Sequence, residues 1–125
     1  MLKGAVLYAK DLTKLRDFYL ALGGKVTDGD ESDYVVITSQ AADLIVLQTP
    51  EHISSQIEIS KPPKVRSGTP VKPIIEVLSM NQARKVVNAA GGSILSGADQ
   101  WEFRGNLVQD IVDPEGNVVQ LWQPT

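Results

Sequence analysis

The chain has 125 residues, 42% apolar and 22% charged, with a formal net charge of −3, one histidine and no cysteine. That length is enough for one domain that buries a core without covalent staples. Zero cysteines exclude disulfides, thiolate metal sites, iron–sulfur ligation and a cysteine nucleophile, and one histidine excludes any site needing two imidazoles from one chain. The mildly acidic balance argues against a nucleic-acid partner, which needs a basic face.

In chain order, Gly4–Ala9 reads as a strand. The spacing Leu12, Leu15, Phe18, Tyr19, Leu22 is one helix face, with Asp11 as N-cap and Gly23-Gly24 as the stop. Asp28, Asp30, Glu31 and Asp33 crowd a solvated hairpin turn rather than a calcium loop, since no ligand spacing of that kind follows. Asp33–Thr38 is strand-like, Ser39–Asp43 a turn and Leu44–Gln48 a further strand. Residues 50–70 read as a solvated linker, with a short strand weighed at Ile57-Glu58-Ile59, and the basic stretch from Lys61 to Lys72 carries Lys61, Lys64, Arg66 and Lys72 with no acid. His52 reads as a surface loop residue.

The second half repeats the first. Sixty-eight residues after the first helix face come Met80, Ala83, Val86, Val87 and Ala90, with Ser79 in the place of Asp11 and Gly91-Gly92 in that of Gly23-Gly24. Lys72–Val77 matches the first strand. Beyond the helix the offset grows to 74, matching Leu107–Val112, the turn Asp113–Asn117 and the strand Val118–Trp122, so about six extra residues fall between Ser96 and Asn106. Each half reads strand–helix–strand–strand–strand. The organisation is module 1 over 1–49, a linker over 50–70 and module 2 over 71–125. No apolar run reaches the ~18 residues of a membrane span, and no secretory leader is legible at the start, which makes the cytoplasm the default and a membrane partner unexpected.

Two stretches, Ala9-Lys10-Asp11-Leu12 through Phe18-Tyr19 to Leu22-Gly23-Gly24 and Asp113-Pro114-Glu115-Gly116-Asn117-Val118-Val119-Gln120-Leu121, together with the repeat, resemble the vicinal oxygen chelate (VOC) superfamily. That superfamily comprises glyoxalase I, bleomycin-resistance proteins and extradiol dioxygenases. The resemblance implies an α+β fold: two βαβββ modules forming a curved eight-stranded mixed sheet around a cavity. It also implies a homodimer. In metal-dependent members, four His/Glu-type ligands come from the first and last strands of each module. Carried over, these positions are Gly4, Val46, Lys72 and Gln120. Gly and Val offer no donor atom, a lysine ammonium repels a cation, and Gln120 gives one neutral oxygen. No metal and no other cofactor is therefore expected.

Strand alternation groups Gly4, Val6 and Tyr8 with Leu44, Val46 and Gln48, and Lys72, Ile74 and Glu76 with Val118, Gln120 and Trp122, as the cavity side. The opposite faces, through Ala5, Leu7, Ala9, Ile75, Val77, Val119 and Leu121, are apolar and suit packing under helices. Tyr8, Gln48, Lys72, Glu76, Gln120 and Trp122 are the polar and aromatic handles expected to contact a small molecule. Trp101, Phe103 and Arg104 in the extra segment are added as a lid, Arg104 meeting an anion or an aromatic ligand. Bland roles stand beside these: a Lys72–Glu76 ion pair, Tyr8 and Trp122 as core or interface aromatics, and the extra loop anchored by its own rings. No nucleophile–base pair and no phosphate-cradling loop is present.

Three functions follow. The leading one is a metal-independent, bleomycin-resistance-like protein that binds a small molecule. The second is a VOC-type lyase, isomerase or dioxygenase with a relocated metal or with Glu76 and Lys72 as acid–base groups. The third is a dimeric interaction module whose cavity is filled by its own side chains.

Overall fold

The computed structural model describes residues 3–66, 71–95 and 99–125. The chain divides into two units, Met1–Glu58 and Ile59–Thr125.

In the first unit, β1 (Gly4–Ala9) leads into α1 (Leu12–Ala21), followed by β2 (Lys25–Gly29), β3 (Tyr34–Ser39) and β4 (Ala42–Gln48). The sheet order is β1-β4-β3-β2, with β1 parallel to β4 and the other pairs antiparallel. Asp11 caps α1 by accepting from the Lys14 N–H, as its position predicts, and Gly23 closes it at φ 112°. Leu12, Leu15, Phe18 and Tyr19 are buried as α1 packs on β3 and β4. The acidic stretch is a hairpin turn: Asp30 Oδ1 accepts the N–H groups of Ser32, Asp33 and Tyr34.

After β4 comes α2 (Glu51–Ser54), a single turn carrying the exposed His52. The strand weighed at Ile57-Glu58-Ile59 does not form. The Ile57 carbonyl instead accepts from the Lys10 ammonium, and no strand among the described residues pairs with it.

The second unit repeats the order with one addition. It comprises β5 (Ile74–Glu76), α3 (Met80–Ala89), β6 (Ser93–Ile94), β7 (Trp101–Phe103), β8 (Asn106–Val112) and β9 (Val118–Pro124). The sheet runs β5-β9-β8-β6, and β7 also pairs with β8. Ser79 caps α3 on the Gln82 N–H, and Gly91 closes it at φ 89°. The extra strand β7 arises from the insertion. Arg104 (φ 49°) and Gly105 (φ 76°) form a two-residue turn that folds it back on β8. The architecture is α+β, with two mixed sheets of four and five strands rather than a single sheet of eight. Part of the expected insertion, residues 96–98, lies outside the described residues, as do linker residues 67–70. Among the described residues no helix is long and apolar enough to cross a membrane.

The pairing register corrects the repeat. Val6 pairs with Ile45, and Ile74 pairs with Gln120. Since Ile74 lies 68 residues after Val6, Gln120 corresponds to Ile45, an offset of 75 rather than 74 on the last strand. The cause is the final turn. Ser39 pairs with Ala42 across two residues in the first unit, whereas the Asp113 N–H bonds the Asn117 carbonyl across three in the second. The face of β4 therefore flips. Val46 pairs with Leu7, is fully buried, and lies on the side of α1. The residues sharing a face with Gly4, Val6 and Tyr8 are Asp43, Ile45 and Leu47. Leu44, Val46 and Gln48 belong to the helix side.

Candidate functional site

Three consequences follow for the candidate residues of the first unit. Gln48 is not free to meet a ligand. Its Oε1 accepts the Leu12 N–H at 3.0 Å, and its Nε2 donates to the carbonyls of Lys10 at 2.6 Å and Ala9 at 3.2 Å. It ties the end of β1 to the start of α1. Tyr8 does lie on the helix-free side and is 64% exposed, beside the exposed Val6. Gly4 lies on the same side but has no room for a side chain: a Cβ there would sit 1.8 Å from the Asp43 carbonyl oxygen.

The second unit gathers the chemistry on the face of its sheet away from α3. The side of α3 is fixed by two contacts: the Met80 N–H donates to Gln123 Oε1 at 2.6 Å, and Arg84 Nη2 donates to Gln109 Oε1 at 3.2 Å. Alternation puts the other residues of β8 and β9 on the far face. The register then defines three rows across it. One holds Ile74, Gln120 and Asp110, the next Glu76, Trp122, Val108 and Trp101, and the third Pro124, Asn106 and Phe103. The centre of this face is buried at Val108, Asp110, Val112 and Val118. Its margins are exposed at Ile74, Glu76, Trp101 and Phe103.

Two local arrangements stand out there. Trp122 donates its indole N–H to Gln120 Oε1 at 3.0 Å, which fixes both side chains, and the Phe103 ring meets the Trp122 ring edge-on at a centroid distance of 5.8 Å. Lys72 does not pair with Glu76. Its ammonium reaches Asp110 Oδ2 at 2.8 Å, while Asp110 Oδ1 is buried with no hydrogen-bond partner among the described residues. Glu76 is exposed at the edge strand. Sequence reasoning missed Asp110 because its partner is 38 positions away and its own neighbours, Gln109 and Ile111, gave no hint of a site. Arg104 stands in the β7–β8 turn with its carbonyl accepting from Asn106 Nδ2.

The turn carrying the resemblance, Asp113–Asn117, is structural. Asp113 Oδ1 accepts the N–H groups of Glu115 at 2.8 Å and Asn117 at 2.9 Å, and its Oδ2 accepts Asn117 Nδ2 at 2.7 Å. Arg66 closes over it, donating to the Glu115 carbonyl and pairing with the buried Glu115 carboxylate at 3.2 Å.

The residues do not fit the metal centre that the resemblance implies. With the register corrected, the four positions carry Gly4, Ile45, Lys72 and Gln120. One glutamine oxygen is the single neutral donor in the set, and no group of three or more His, Asp or Glu side chains able to hold an ion occurs among the described residues.

No protein-family model matches the sequence, and no curated protein matches it. Solved structures do. A glyoxalase/bleomycin resistance protein/dioxygenase family enzyme from Burkholderia phytofirmans PsJN superposes with a TM-score of 0.72 at 14% identity, over 98% of both chains. A glyoxalase/bleomycin resistance protein from Albidiferax ferrireducens T118 gives 0.65 at 19% identity, over 100% of this chain and 99% of that one. A glyoxalase/bleomycin resistance protein/dioxygenase from Alicyclobacillus acidocaldarius gives 0.63 at 17%, over 99% and 91%.

Proposed function

We propose that this chain, which has the glyoxalase/bleomycin-resistance/dioxygenase fold, binds a small aromatic molecule against the helix-free face of its second sheet, without a metal. One observation carries the reading. Trp122 is pinned by Gln120 and flanked by Phe103 on a face that also offers Trp101, Ile74 and Glu76. A rigid aromatic surface bordered by a few polar groups is the composition of a small-molecule site. The first half lacks this composition. The positions matching Gln120 and Trp122 there are Ile45 and Leu47, and β7 has no counterpart. The fold is thus built twice and the aromatic surface once, so folding alone does not require it. Binding needs no reacting group, which agrees with a donor set unable to hold a cation.

Trp101 and Trp122 are the only tryptophans, so Trp101→Phe leaves Trp122 as the sole reporter. Small aromatic compounds at millimolar concentration are expected to shift Trp122 emission and raise the melting temperature, as any ligand selective for the native state must. A broad aromatic panel that moves neither quantity overturns the proposal.

A further inference from the structure

Resting on that reading, we infer that Asp110 selects the ligand: the site takes a molecule that carries a cationic nitrogen beside its aromatic ring, and the nitrogen binds the Asp110 carboxylate.

The carboxylate is only half satisfied. Asp110 is 6% exposed, Oδ2 is held by Lys72 at 2.8 Å, and Oδ1 has no partner among the described residues. A buried anionic oxygen without a donor is costly, and native structures rarely keep one without a use. The donor nearest in register, the Gln120 amide, does not serve it. Its Oε1 accepts from the Trp122 indole N–H, while its Nε2 makes no hydrogen bond to Asp110 Oδ1.

The repeated architecture does not call for such a pair. Lys72 corresponds to Gly4 in the first half. On the third strand of each module, where the offset is 74, Asp110 corresponds to Val36. The first sheet folds with no ion pair at that place. In the second unit, a charge pair has been added on the face that carries the aromatic surface.

The electrostatics choose the sign of the ligand. Within the rows of this face Lys72 and Asp110 cancel, leaving Glu76 without an ion pair among the described residues, while Arg104 lies outside the rows in the β7–β8 turn. The lysine is the movable half, its side chain 36% exposed on a long flexible stem, whereas the Asp110 side chain is 8% exposed. A ligand ammonium or amidinium can enter as the lysine swings aside and supply the donors that Oδ1 lacks. Asp110 and Trp122 are diagonal cross-strand neighbours, since Asp110 pairs with Gln120 and Val108 with Trp122. Such neighbours stand about 7–8 Å apart, which fits a nitrogen one or two methylenes from an aromatic ring.

Phenethylamine, 2-phenylethanol and phenylacetate share one aromatic body and differ in charge, so their affinities for the full-length protein, read by ligand-observed NMR, test the inference. The amine is expected to bind about tenfold more tightly than the alcohol, the scale of one charge-assisted hydrogen bond. Asp110→Asn is expected to remove that preference. Lys72→Gln, which frees the carboxylate, is expected to enlarge it. Should Asp110→Asn fail to fold, the wild-type ranking and Lys72→Gln decide alone. Equal binding of amine and alcohol overturns the role of Asp110 while leaving the aromatic site standing. Preferred binding of phenylacetate, lost in Lys72→Gln, overturns it in favour of Lys72 as an anion anchor. Binding of none of the three counts against both the site and its selectivity.

Discussion

Gln48 and Gln123 perform the same task 75 residues apart. Each gives its Oε1 to the first backbone N–H of the helix in its own half, Leu12 at 3.0 Å and Met80 at 2.6 Å. These N–H groups have no intrahelical acceptor, so the amide supplies what the helix cannot. Replacing Gln48 with Ala should destabilise the protein by about 1–3 kcal/mol, the cost of leaving partly buried groups unpaired. Gln48→Glu separates capping from packing. It keeps an acceptor for Leu12 but turns a second oxygen toward the carbonyls of Ala9 and Lys10, so it should not restore the wild type. Urea denaturation of the two variants measures both effects.

The contact between Gly4 and the Asp43 carbonyl predicts that a metal site cannot be restored by supplying a ligand at position 4. With the added Cβ at 1.8 Å from that oxygen, strand β1 must shift before any imidazole can be placed. Gly4→His should lose stability by about 1–3 kcal/mol, as overpacked sites do, and should bind no more zinc than the wild type. Gly4→Ala should be destabilised as well. A stable Gly4→His protein holding one equivalent of zinc after dialysis would refute this.

The Asp113 turn should prove a stability element without influence on ligands. Asp113→Ala removes an acceptor that serves three donors in a fully buried position and should cost about 2–4 kcal/mol. Arg66→Ala should cost less, about 1–2 kcal/mol, because the guanidinium is partly exposed and water can replace some of its contact with Glu115. Thermal unfolding, read beside the binding of a fixed aromatic probe at a temperature where each variant is folded, separates the two properties.

The β2–β3 turn should respond to acid. The backbone N–H of Asp33, followed by those of Ser32 and Tyr34, holds the Asp30 carboxyl down at about 2 from an ordinary 3.8. A lowered native value means that the ionised form stabilises the fold. That contribution is complete above about pH 4 and is lost as the pH falls from 3.8 toward 2. Asp30→Ala should therefore differ most from wild type near neutrality, and the gap should narrow in that acid window. In the same turn, the charge of Asp28 raises the Tyr34 phenol above 10.0, so its contribution is present below that value and lost only at higher pH.

Much of this fold was legible because its signals are local. The caps Asp11 and Ser79, the helix faces and the glycine stops each announce themselves within a few residues. The phase of β4 was not legible. Leu44-Ile45-Val46-Leu47 is apolar on every residue, so alternation carries no information there, and one additional turn residue in the second half displaced the comparison by a single position. The charge pairs were hidden for a different reason. Arg66 and Lys72 stand in a stretch that reads as a solvated basic linker, and their acids, Glu115 and Asp110, lie 49 and 38 positions onward. Nothing in the local pattern links such partners; the topology of β8 and β9 brings them together. Tyr8 and Trp122 share a side with Val6 and with Gln120, as the alternation of β1 and β9 gives them.

The Arg66 clamp separates two boundaries that would otherwise be taken as one. Counted by the sequence repeat, the second half begins near Lys72, the position that matches Gly4. Counted by cohesion, it begins at Ile59, because the stretch carrying Arg66 is fastened to the Asp113–Asn117 turn through main chain and side chain alike. What reads as a tether between the two repeats is thus part of the second unit, and a cut at the start of the repeat would strip that unit of a strap its last turn holds on to.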